Sequence, residues 1–435
     1  MPAPFETKVE KLVYGGDGLA HHEKSTVFVP FVIPGELVRV SPVESKKKFI
    51  RGVSEQILTP SAERIAALCP RFTICGGCHY QHIPYEAQLT YKAEILRETL
   101  ARIGKINWTG EIHTHASPPF GYRNRAQWAV RPSGTPPKPA IGYFQSSSSV
   151  LVPTDVCPIL APKLESTLAA LSGAFADGRL PGNISGIECF TDAAGEKVLL
   201  NVSLAQAGQS VGTLAASLRE IVSNVESILI HDERSDDYQL LGPGYLQYEA
   251  AGHSFRVGHL SFFQVNRFVL DDLVRAVVGN ATDGENKRGL ALDLFAGVGL
   301  FSIPLAARYD RVIAVEGNVA TARDLEANLK NHPTSRGRHS DAETFLARHK
   351  EPADLVVIDP PRAGLTPPTI QRLRDLGPAQ ITYLSCDPAT LARDLAAFTG
   401  TVAPGHPYDI SNITLYDIFP QTYHIEALVK LQRIG

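Results

Sequence analysis

Several features that would assign this chain to a common class are missing from its 435 residues. No apolar run is long enough to span a membrane, and residues 1–30 lack the charged start and apolar core of a signal peptide. The sequence therefore predicts a cytoplasmic protein with no membrane partner. The chain has only six cysteines, and in a reducing compartment these are expected to be thiols, metal ligands or nucleophiles rather than disulfides.

A strong excess of positive charge is also absent, since the formal net charge is −3. The distribution is uneven, however. Residues 1–131 hold 17 Lys and Arg against 12 Asp and Glu, whereas the remainder holds 25 against 33. A net basic N-terminal third is compatible with a polyanionic partner, and an ordinary solvated surface explains the same charge equally well.

The length predicts two or three domains, and the first of these is a small β domain. Residues 1–59 alternate short β-like runs with glycine and proline turns. Four or five strands in so short a stretch favour an OB-like barrel, a common nucleic-acid scaffold. The basic stretch at 46–51 is either a phosphate contact or a solubilising loop.

Residues 69–78 read CPRFTICGGC, which brings three cysteines within ten residues: Cys69, Cys75 and Cys78. A C-x2-C turn with a nearby third thiol is typical of iron–sulfur or zinc ligation, because the glycines let the backbone wrap closely around a metal. Cys157, which precedes a proline, is the best candidate for a distant fourth ligand. His79 and His82 leave zinc open, and incidental clustering of free thiols is the third reading.

The rest of the N-terminal half predicts one helix and many strands. Residues 84–105 carry apolar residues at helical spacing, and residues 121–230 are mostly β-like, with a hairpin at 184–204. More β hairpin follows at 239–263. A helix at about 267–278 then leads into the C-terminal part.

Residues 290–316 read LALDLFAGVGLFSIPLAARYDRVIAVE, and the pattern is strand, glycine turn, helix and strand ending in Glu316. This is the first half of a dinucleotide-type binding unit, in which the terminal acid accepts hydrogen bonds from ribose hydroxyls. The G-x-G-x-x-G motif and a phosphate-binding lysine are absent. Asp293 lies two residues before the turn, where S-adenosylmethionine (SAM) methyltransferases often have an acid.

Strand–helix alternation continues to the C-terminus, so we expect a mostly parallel sheet with an antiparallel end. Four predicted strands end in Phe295, Glu316, Asp359 and Cys386, and ligands gather at that edge of such sheets. Asp387 and Pro388 suit a helix start, which predicts a lowered pKa and nucleophilic character for the thiol of Cys386. A buried structural cysteine is the alternative.

A last acid, Glu426, lies in the apolar stretch YHIEALV, where alternation puts it on one face with His424 and Leu428. A carboxylate in such a strand is costly unless it is paired or used. An exposed Glu on an edge strand is the equal alternative.

Taken together, these motifs resemble the RNA uracil-5-methyltransferase family, most closely its RumA/RlmD type. The resemblance covers nearly the whole chain in order, with the four cysteines, FFQVN at 262–266, DLFAGVG at 293–299, VEGN at 315–318, DPPRAGL at 359–365, SCDPATLARDL at 385–395 and HIEALV at 424–429. It implies a TRAM barrel at 1–59, a β-rich central domain at 60–262 with an iron–sulfur cluster, and a Rossmann-like SAM-dependent methyltransferase domain at 263–435.

The resemblance also implies residue roles. Cys386 would be the nucleophile and Glu426 the base that removes the C5 proton. Cys69, Cys75, Cys78 and Cys157 would hold a [4Fe–4S] cluster. The positions where the family contacts SAM are Gln264, Phe295, Glu316, Asp341 and Asp359. Two departures are Ala296, where the family often has Cys, and Leu300, where the RumA type has Asn; Leu300 removes a polar group near the cofactor.

This chemistry suits the residue types, because uracil C5 is too weak a nucleophile until a thiolate adds to C6. The target base must also leave its stack to reach both the thiol and SAM. Large-subunit (23S) ribosomal RNA is the expected substrate and tRNA the alternative, acted on by a monomer. A radical-SAM methylthiotransferase lacks support because C-x3-C-x2-C is absent. An RNA cytosine-5-methyltransferase would normally carry Pro-Cys where Asp359-Pro360-Pro361 stands. A non-catalytic RNA-binding factor would not need both Cys386 and Glu426.

Overall fold

The computed structural model describes residues 3–206, 210–279, 288–400 and 408–434. Its N-terminal part is a six-stranded sheet of order β1-β5-β6-β4-β3-β2. The strands are β1 (Phe5–Lys8), β2 (Lys11–Leu12), β3 (Asp17–His22), β4 (Ser25–Pro30), β5 (Leu37–Ser45) and β6 (Phe49–Thr59). Val27 and Val29 on β4 and Val38 and Val40 on β5 alternate into one small core. The predicted run of short strands is present.

The next two elements lie with the C-terminal part of the chain. They are α1 (Tyr85–Arg102) and β7 (His113–His115). Ile95, Leu96 and Leu100 of α1 enter the core of the C-terminal sheet, and β7 forms the edge of that sheet. Residues 85–115 therefore pack outside the central sheet, although the sequence division placed them within 60–262.

The central sheet has seven strands in the order β10-β9-β8-β11-β12-β13-β14. Its elements are β8 (Arg125–Ser133), β9 (Lys138–Phe144), β10 (Leu151–Pro153), α2 (Pro162–Ala176), β11 (Ile184–Thr191), β12 (Val198–Leu204), α3 (Val211–Ile221), β13 (Val225–Asp232) and β14 (Asp237–Leu241). The predicted hairpin is β11 paired antiparallel with β12. Helices α2 and α3 were not predicted; α3 is the crossover that makes β12 and β13 parallel.

A separate hairpin joins the central and C-terminal sheets. It consists of β15 (Tyr245–Ala250) and β16 (His253–Gly258), and α4 (Leu270–Val278) follows it. Phe255 and Val257 of the hairpin and Leu273 of α4 share one core with the first strands of the C-terminal sheet. The segment between the hairpin and α4, which includes Gln264, is thereby held against that sheet.

The C-terminal sheet has the order β19-β18-β17-β20-β21-β23-β22-β7. Its own elements are β17 (Arg288–Leu294), α5 (Ser302–Ala306), β18 (Tyr309–Glu316), α6 (Val319–Leu329), β19 (Ser335–His339), α7 (Ala342–Arg348), β20 (Leu355–Ile358), α8 (Pro367–Leu376), β21 (Gln380–Ser385), α9 (Pro388–Thr399), β22 (Tyr408–Tyr416) and β23 (Glu426–Arg433). Strands β17 to β21 are parallel, and β23 is antiparallel to both of its neighbours β21 and β22. The predicted parallel sheet with an antiparallel end is confirmed.

The last predicted strand begins later than expected. The alternation in YHIEALV predicts a strand that already includes residues 423–425, but β23 starts only at Glu426. Pro420 and the left-handed Gln421 (φ 67°) turn the chain, so His424 lies in an irregular segment and not on the strand face of Glu426. In the part of the chain that is described, no helix has both the length and the apolar character needed to cross a membrane.

Candidate active site and cysteine site

A cavity of about 700 Å³ lies at the carboxyl ends of the parallel strands. All seven residues predicted for catalysis and SAM binding line it: Gln264, Phe295, Glu316, Asp341, Asp359, Cys386 and Glu426. The grouping follows from the fold, since β17, β18, β20 and β21 all end at this edge. A cavity of this size and position suits a nucleoside-containing ligand.

The glycine turn forms one wall of this cavity. Phe295, Gly297 and Gly299 all have positive φ (64°, 56° and 95°), so the chain reverses sharply after β17. A Cβ added to Gly297 would meet nothing within 4 Å, so backbone there is open to a ligand. A Cβ on Gly299 would lie 3.0 Å from Cδ1 of Leu325, so this glycine allows close packing of the turn on α6.

Glu316 faces the turn from the end of β18. Its Oε2 accepts the N–H of Gly297 at 2.9 Å, and its Oε1 accepts the N–H of Asn318 at 2.7 Å. Both oxygens keep a further lone pair, so the carboxylate can still accept two hydroxyls from a ribose. Asp341 caps α7 by accepting the N–H of Thr344, and this hydrogen bond holds the pKa of Asp341 below its usual value.

Two buried acids lie deeper in the cavity wall. Asp293 accepts a hydrogen bond from the Ser302 hydroxyl, and burial and then the charge of Glu316 raise the pKa of Asp293 to about 7. Burial and the neighbouring Asp293 also raise the pKa of Asp359 to about 7. Among the described residues, no Lys or Arg forms an ion pair with either acid. Neither acid is therefore neutralised by an ion pair within the described part of the chain.

Cys386 follows β21 directly, and the structure corrects the prediction about its acidity. Asp387 caps α9 by accepting the N–H groups of Ala389 and Thr390, so these amides do not face the thiol. Burial, followed by the charges of Glu426 and Asp359, raises the pKa of Cys386 to about 11. The expected lowering of its pKa by the helix start is therefore wrong.

Glu426 is the first residue of β23 and is only 4% exposed. Burial and the charge of Asp359 hold its pKa well above the usual range, against the opposing effect of Arg362. No described group donates a hydrogen bond to its carboxyl. A buried carboxyl without a partner beside a thiol is poised to exchange a proton with a ligand rather than to stabilise the fold.

Sequence reasoning did not single out three further residues that reach the active site: Tyr14, Arg362 and Phe419. The Tyr14 hydroxyl lies 3.5 Å from the carbonyl oxygen of Cys386, and its ring meets the Tyr423 ring edge-on. Arg362 and Phe419 line the cavity. Arg362 follows the strand end Asp359-Pro360-Pro361 and could have been found from that position, whereas no local pattern marks Tyr14.

The four predicted ligand cysteines line a second cavity, next to the first. Cys157 is buried, and Cys69, Cys75 and Cys78 are partly buried. The loop between them is pressed against the end of β9, because the Gly76 N–H donates to the Phe144 carbonyl at 2.9 Å. A Cβ on Gly76 would come within 3.0 Å of the Ser146 backbone, so this approach requires glycine.

Hydrogen-bond donors surround these thiols. The hydroxyl of Tyr143 and the N–H of Ile159 face the sulfur of Cys157, and both lower its pKa against a burial effect that raises it to about 12. The Gly77 N–H acts in the same way on Cys75. Donors of this kind stabilise the thiolate form, which is the form that binds metals.

Gln81 adds a donor that is otherwise unused. Its Oε1 accepts the N–H of Cys69 at 2.9 Å, which fixes the orientation of the amide. Its Nε2 is buried without an oxygen acceptor among the described residues and lies against the sulfur of Cys78. Gln81 is 3% exposed, so this orphaned donor suits a thiolate at Cys78.

The two histidines next to the cysteines have contacts of their own. The His79 ring packs edge-on against Tyr423 at 4.6 Å, and Nε2 of His82 faces the Val32 carbonyl at 3.4 Å. Nδ1 of each ring is buried without a hydrogen-bond partner among the described residues, and His79 lines the cysteine cavity. In the described ranges, no group of three or more His, Cys, Asp or Glu side chains is arranged to hold a metal ion, so the structure favours neither zinc nor a cluster.

Comparison with known proteins identifies the class. The family model described as tRNA (uracil-5-)-methyltransferase matches residues 346–434. The 23S rRNA (uracil(1939)-C(5))-methyltransferase RlmD of Alkalilimnicola ehrlichii is 31% identical, over 99% of this chain and 97% of that protein. An uncharacterised RNA methyltransferase of Thermosynechococcus vestitus is 30% identical, over 99% and 98%. The chain belongs to the RNA uracil-5-methyltransferase family, as its motifs predict.

A solved structure agrees with this assignment over the whole chain. It is the tRNA (uracil-54, C5)-methyltransferase of Pyrococcus abyssi in complex with S-adenosyl-L-homocysteine. The TM-score is 0.75 at 25% identity, and the match covers 98% of this chain and 100% of that one. The protein is accordingly a SAM-dependent RNA methyltransferase with a mixed α/β methyltransferase fold.

Proposed function

We propose that this protein transfers a methyl group from SAM to C5 of one uridine in RNA, with Cys386 as the nucleophile and Glu426 as the base. The observation that supports these roles is the presence of an isolated thiol and an unpartnered buried carboxyl in the cavity that also contains the glycine turn and Glu316. Two reactive groups facing one cofactor-sized cavity are what a covalent methyl-transfer mechanism needs.

SAM would be held by Gln264, Phe295, Glu316, Asp341 and Asp359. It supplies an electrophilic methyl group on a positively charged sulfonium. The residues fit this charge, because Asp293 and Asp359 are buried carboxyls that lack a cation. Glu316 offers two oxygens to the ribose, and Gly297 leaves the backbone open beside it.

In the proposed reaction, Cys386 loses its proton to solvent water as its sulfur bonds to C6 of uracil, and the electron pair of the C5=C6 bond moves towards C5 and O4. C5 then bonds to the methyl group as the bond between that methyl group and the sulfonium sulfur breaks, and S-adenosyl-L-homocysteine is the leaving group. Glu426 removes the proton from C5, the C5=C6 bond re-forms, and the sulfur of Cys386 leaves. Glu426 becomes a stronger base just before it must remove the C5 proton, because methyl transfer removes a positive charge from the cavity.

The substrate we propose is 23S ribosomal RNA, because full-length relatives at about 30% identity carry that activity in their names. Transfer RNA is the second candidate, since the solved relative from Pyrococcus abyssi is named as a tRNA enzyme. Either substrate places the protein in the cytoplasm. A TRAM role for residues 1–59 and the monomeric state stay predictions.

We further propose that Cys69, Cys75, Cys78 and Cys157 hold a [4Fe–4S] cluster. The four thiols line one cavity, and a [4Fe–4S] cluster takes four thiolate ligands. The donors from Gln81, Tyr143 and the backbone suit permanently deprotonated sulfurs. When bound, the cluster would supply a rigid, charged cross-link between the loop at 69–78 and Cys157.

One experiment tests the reaction and the substrate together. Purified protein and SAM with a labelled methyl group are incubated with 23S ribosomal RNA or with tRNA, each transcribed in vitro, and the RNA is digested to nucleosides. We expect label in 5-methyluridine from 23S ribosomal RNA. Label in 5-methylcytidine, or none in either RNA, would contradict the proposed reaction, and label from tRNA alone would reassign the substrate.

A further inference from the structure

A short stretch of chain separates the two cavities. Residues 417–425, here called the connecting segment, run from β22 to β23 and end immediately before Glu426. Phe419 and His424 of this segment line both the active-site cavity and the cysteine cavity. Any displacement of the segment would therefore change the wall against which a uridine must sit.

The loop that carries Cys69, Cys75 and Cys78, here called the cysteine loop, is hydrogen-bonded to this segment at Gln421. The Gln421 carbonyl oxygen accepts the N–H of His79 at 2.8 Å and the N–H of Tyr80 at 3.0 Å. His79 directly follows Cys78 in the chain. The position of Cys78 is thus one residue away from a hydrogen bond to the connecting segment.

The backbone of Gln421 must be left-handed for its carbonyl to point this way. Its φ is 67°, which few residues other than glycine adopt readily. Helix α1 holds the conformation through Gln88, whose Oε1 accepts the Gln421 N–H and whose Nε2 donates to the Gln421 Oε1, both at 3.0 Å. The same Nε2 donates to the Tyr80 carbonyl at 3.1 Å, so one buried amide fixes both partners.

The proposed SAM-binding residue Glu316 is held by a different contact. Its Oε2 accepts the N–H of Gly297, and among the described residues no hydrogen bond joins this pair to Gln421. The connecting segment is fixed near its start by Lys92, which donates to Asp417 at 2.6 Å and to the Phe419 carbonyl at 3.1 Å. The cysteine loop meets the segment further on, through the hydrogen bonds to the Gln421 carbonyl and through the His79 ring, which packs against Tyr423.

We infer that Gln421 is a positioning residue. When the cysteine loop is ordered, its hydrogen bonds to Gln421 hold in place the part of the active site that would contact uridine. Ligation of the four thiols then controls the step in which Cys386 adds to uridine, and leaves SAM binding unaffected. This inference rests on the proposed roles of Cys386 and of the cysteine site. It makes the cysteine site a control element for the reaction as well as a cross-link.

Two substitutions at Gln421 separate backbone geometry from side-chain loss. Gln421→Gly and Gln421→Val both lose the amide, but only valine is excluded from the left-handed region by its β-branch. In the full chain with its metal site loaded, we expect Gln421→Val to form the covalent adduct with 5-fluorouridine RNA about 100-fold more slowly, the scale of a misplaced reacting group. Gln421→Gly should lose less than about fivefold, since glycine retains the required φ.

Two controls accompany these rates. The SAM dissociation constant and the iron content of both variants should stay within about twofold of wild type, because among the described residues no hydrogen bond joins Glu316 and Gly297 to Gln421. Equal adduct rates for the glycine and valine variants would overturn the inference. A parallel loss of SAM affinity in Gln421→Val would also overturn it, because it would indicate general destabilisation.

A second measurement is independent of methylation and of whether Gln421→Val folds. Hydrogen exchange of the wild-type chain is compared before and after metal removal by an anaerobic chelator, and with Cys78→Ser. The amides of residues 417–424 should lose protection, while those of the turn at 295–299 should not. Unchanged protection of 417–424 in both samples would overturn the inference. Loss of protection with no methylation of any RNA would leave the link standing and refute the proposed reaction instead.

Discussion

The two cavities bury thiols in opposite surroundings. Cys386 lies beside Glu426 and Asp359, with Arg362 as a partial counterweight. The sulfurs of Cys78 and Cys157 face an amide, a hydroxyl and a backbone N–H. Burial raises the pKa in both places. The neighbouring carboxyls raise it further at Cys386, whereas at Cys78 and Cys157 the donors oppose the rise and the other cysteine sulfurs add to it.

This contrast fits the two roles proposed above, a nucleophile that exchanges its proton and a set of metal ligands. The carboxyls beside Cys386 disfavour its thiolate until a positive charge is bound nearby. The donors beside Cys78 and Cys157 would favour the thiolate form once a metal is bound. The difference could not be read from the chain, because a cysteine before a helix and a cysteine in a C-x2-C turn both suggest an acidic thiol.

The largest effects on the reaction should come from replacing Cys386 and Glu426 one at a time. Cys386→Ala should form no adduct with 5-fluorouridine RNA and lose at least about four orders of magnitude in rate, as nucleophile removal does elsewhere. Glu426→Gln should slow turnover about 10²- to 10⁴-fold and accumulate RNA attached to Cys386, since the C5 proton cannot leave. The readout is a slowly migrating band on a denaturing gel.

A matched control for this experiment is Cys189→Ala, which removes a fully buried thiol of the central sheet. It should leave adduct formation intact. A stable adduct from Cys386→Ala, or full turnover by Glu426→Gln, would mean that the nucleophile or the base is another residue.

The next effect concerns the cysteine site. Cys78→Ser should reduce the iron content from about four per chain, the expectation for a tetrathiolate [4Fe–4S] cluster, to nearly none. Iron analysis and the brown absorbance of anaerobically purified protein measure this. Cys189→Ser should retain its iron. Stoichiometric zinc in the wild type would show that the site is built for a single ion instead.

Replacing Glu316, which lines the proposed SAM site, should have a smaller effect, on SAM affinity. Glu316→Ala should weaken SAM binding by about 1.5–3 kcal/mol, the scale of hydrogen bonds to a charged group. Isothermal titration calorimetry measures this directly. Glu326→Ala, which removes an exposed acid from α6, serves as the control and should bind SAM normally. Unchanged affinity in Glu316→Ala would place the ribose elsewhere.

The buried acid Asp293 predicts how stability depends on pH. Its pKa in the folded protein is about 7, against an ordinary value of 3.8, so the folded state binds this proton more tightly. The associated stability is complete below about pH 4 and is lost as the pH rises through 7. We expect the thermal midpoint of the SAM-free protein to fall by about 5 °C between pH 5 and 8.

Asp293→Asn should flatten this slope, because an amide does not titrate. Asp375→Asn, which changes an exposed acid on α8, should keep it. Thermal unfolding at four pH values distinguishes them. A wild-type slope that Asp293→Asn leaves unchanged would assign the titration to other groups.

The smallest effect concerns the donors around the proposed cluster. Tyr143→Phe removes a donor from Cys157 and should lower the cluster's reduction potential by about 20–60 mV, one neutral hydrogen bond expressed for a one-electron couple. Trp128→Phe is the comparison variant, because it removes the indole that donates to the Tyr143 hydroxyl at 2.9 Å and leaves that hydroxyl in place. Potentiometry followed by electron paramagnetic resonance measures the reduction potential of both variants. Tyr143→Phe should shift it more than Trp128→Phe does. Equal shifts would mean that the Tyr143 hydroxyl has no influence on the cluster.

Local patterns were enough to predict the C-terminal sheet and the residues at its edge. Strand ends are marked by apolar runs that stop at a charged or turn residue, so the sequence alone predicts that Glu316, Asp359 and Cys386 lie together. The helices α2 and α3 were missed because their apolar residues were read as parts of a β-like stretch. His424 was misplaced because Gln421 adopts a left-handed turn that its residue type does not suggest.

The electrostatics of the site were less predictable than its position. The pKa of Cys386 is raised by Glu426, which is forty residues away in sequence. The N–H groups at the start of α9 do not offset this effect, because the N-cap residue Asp387 accepts their hydrogen bonds. Tyr14 and Gln88 contribute through contacts between distant parts of the chain, and such contacts leave no periodicity to detect. A single sequence identifies groups that share a strand edge, and it does not identify those that arrive from another domain.

The contact between Tyr14 and Cys386 joins residues 372 positions apart, and the pair Gln88 and Gln421 is separated by 333. Contacts of such long range form late, because loop closure costs entropy before any bond is gained. During translation, the first residues emerge long before the strand that ends at Cys386 is made. The nascent chain therefore lacks a complete active site until Cys386 and the strand that begins at Glu426 have been made.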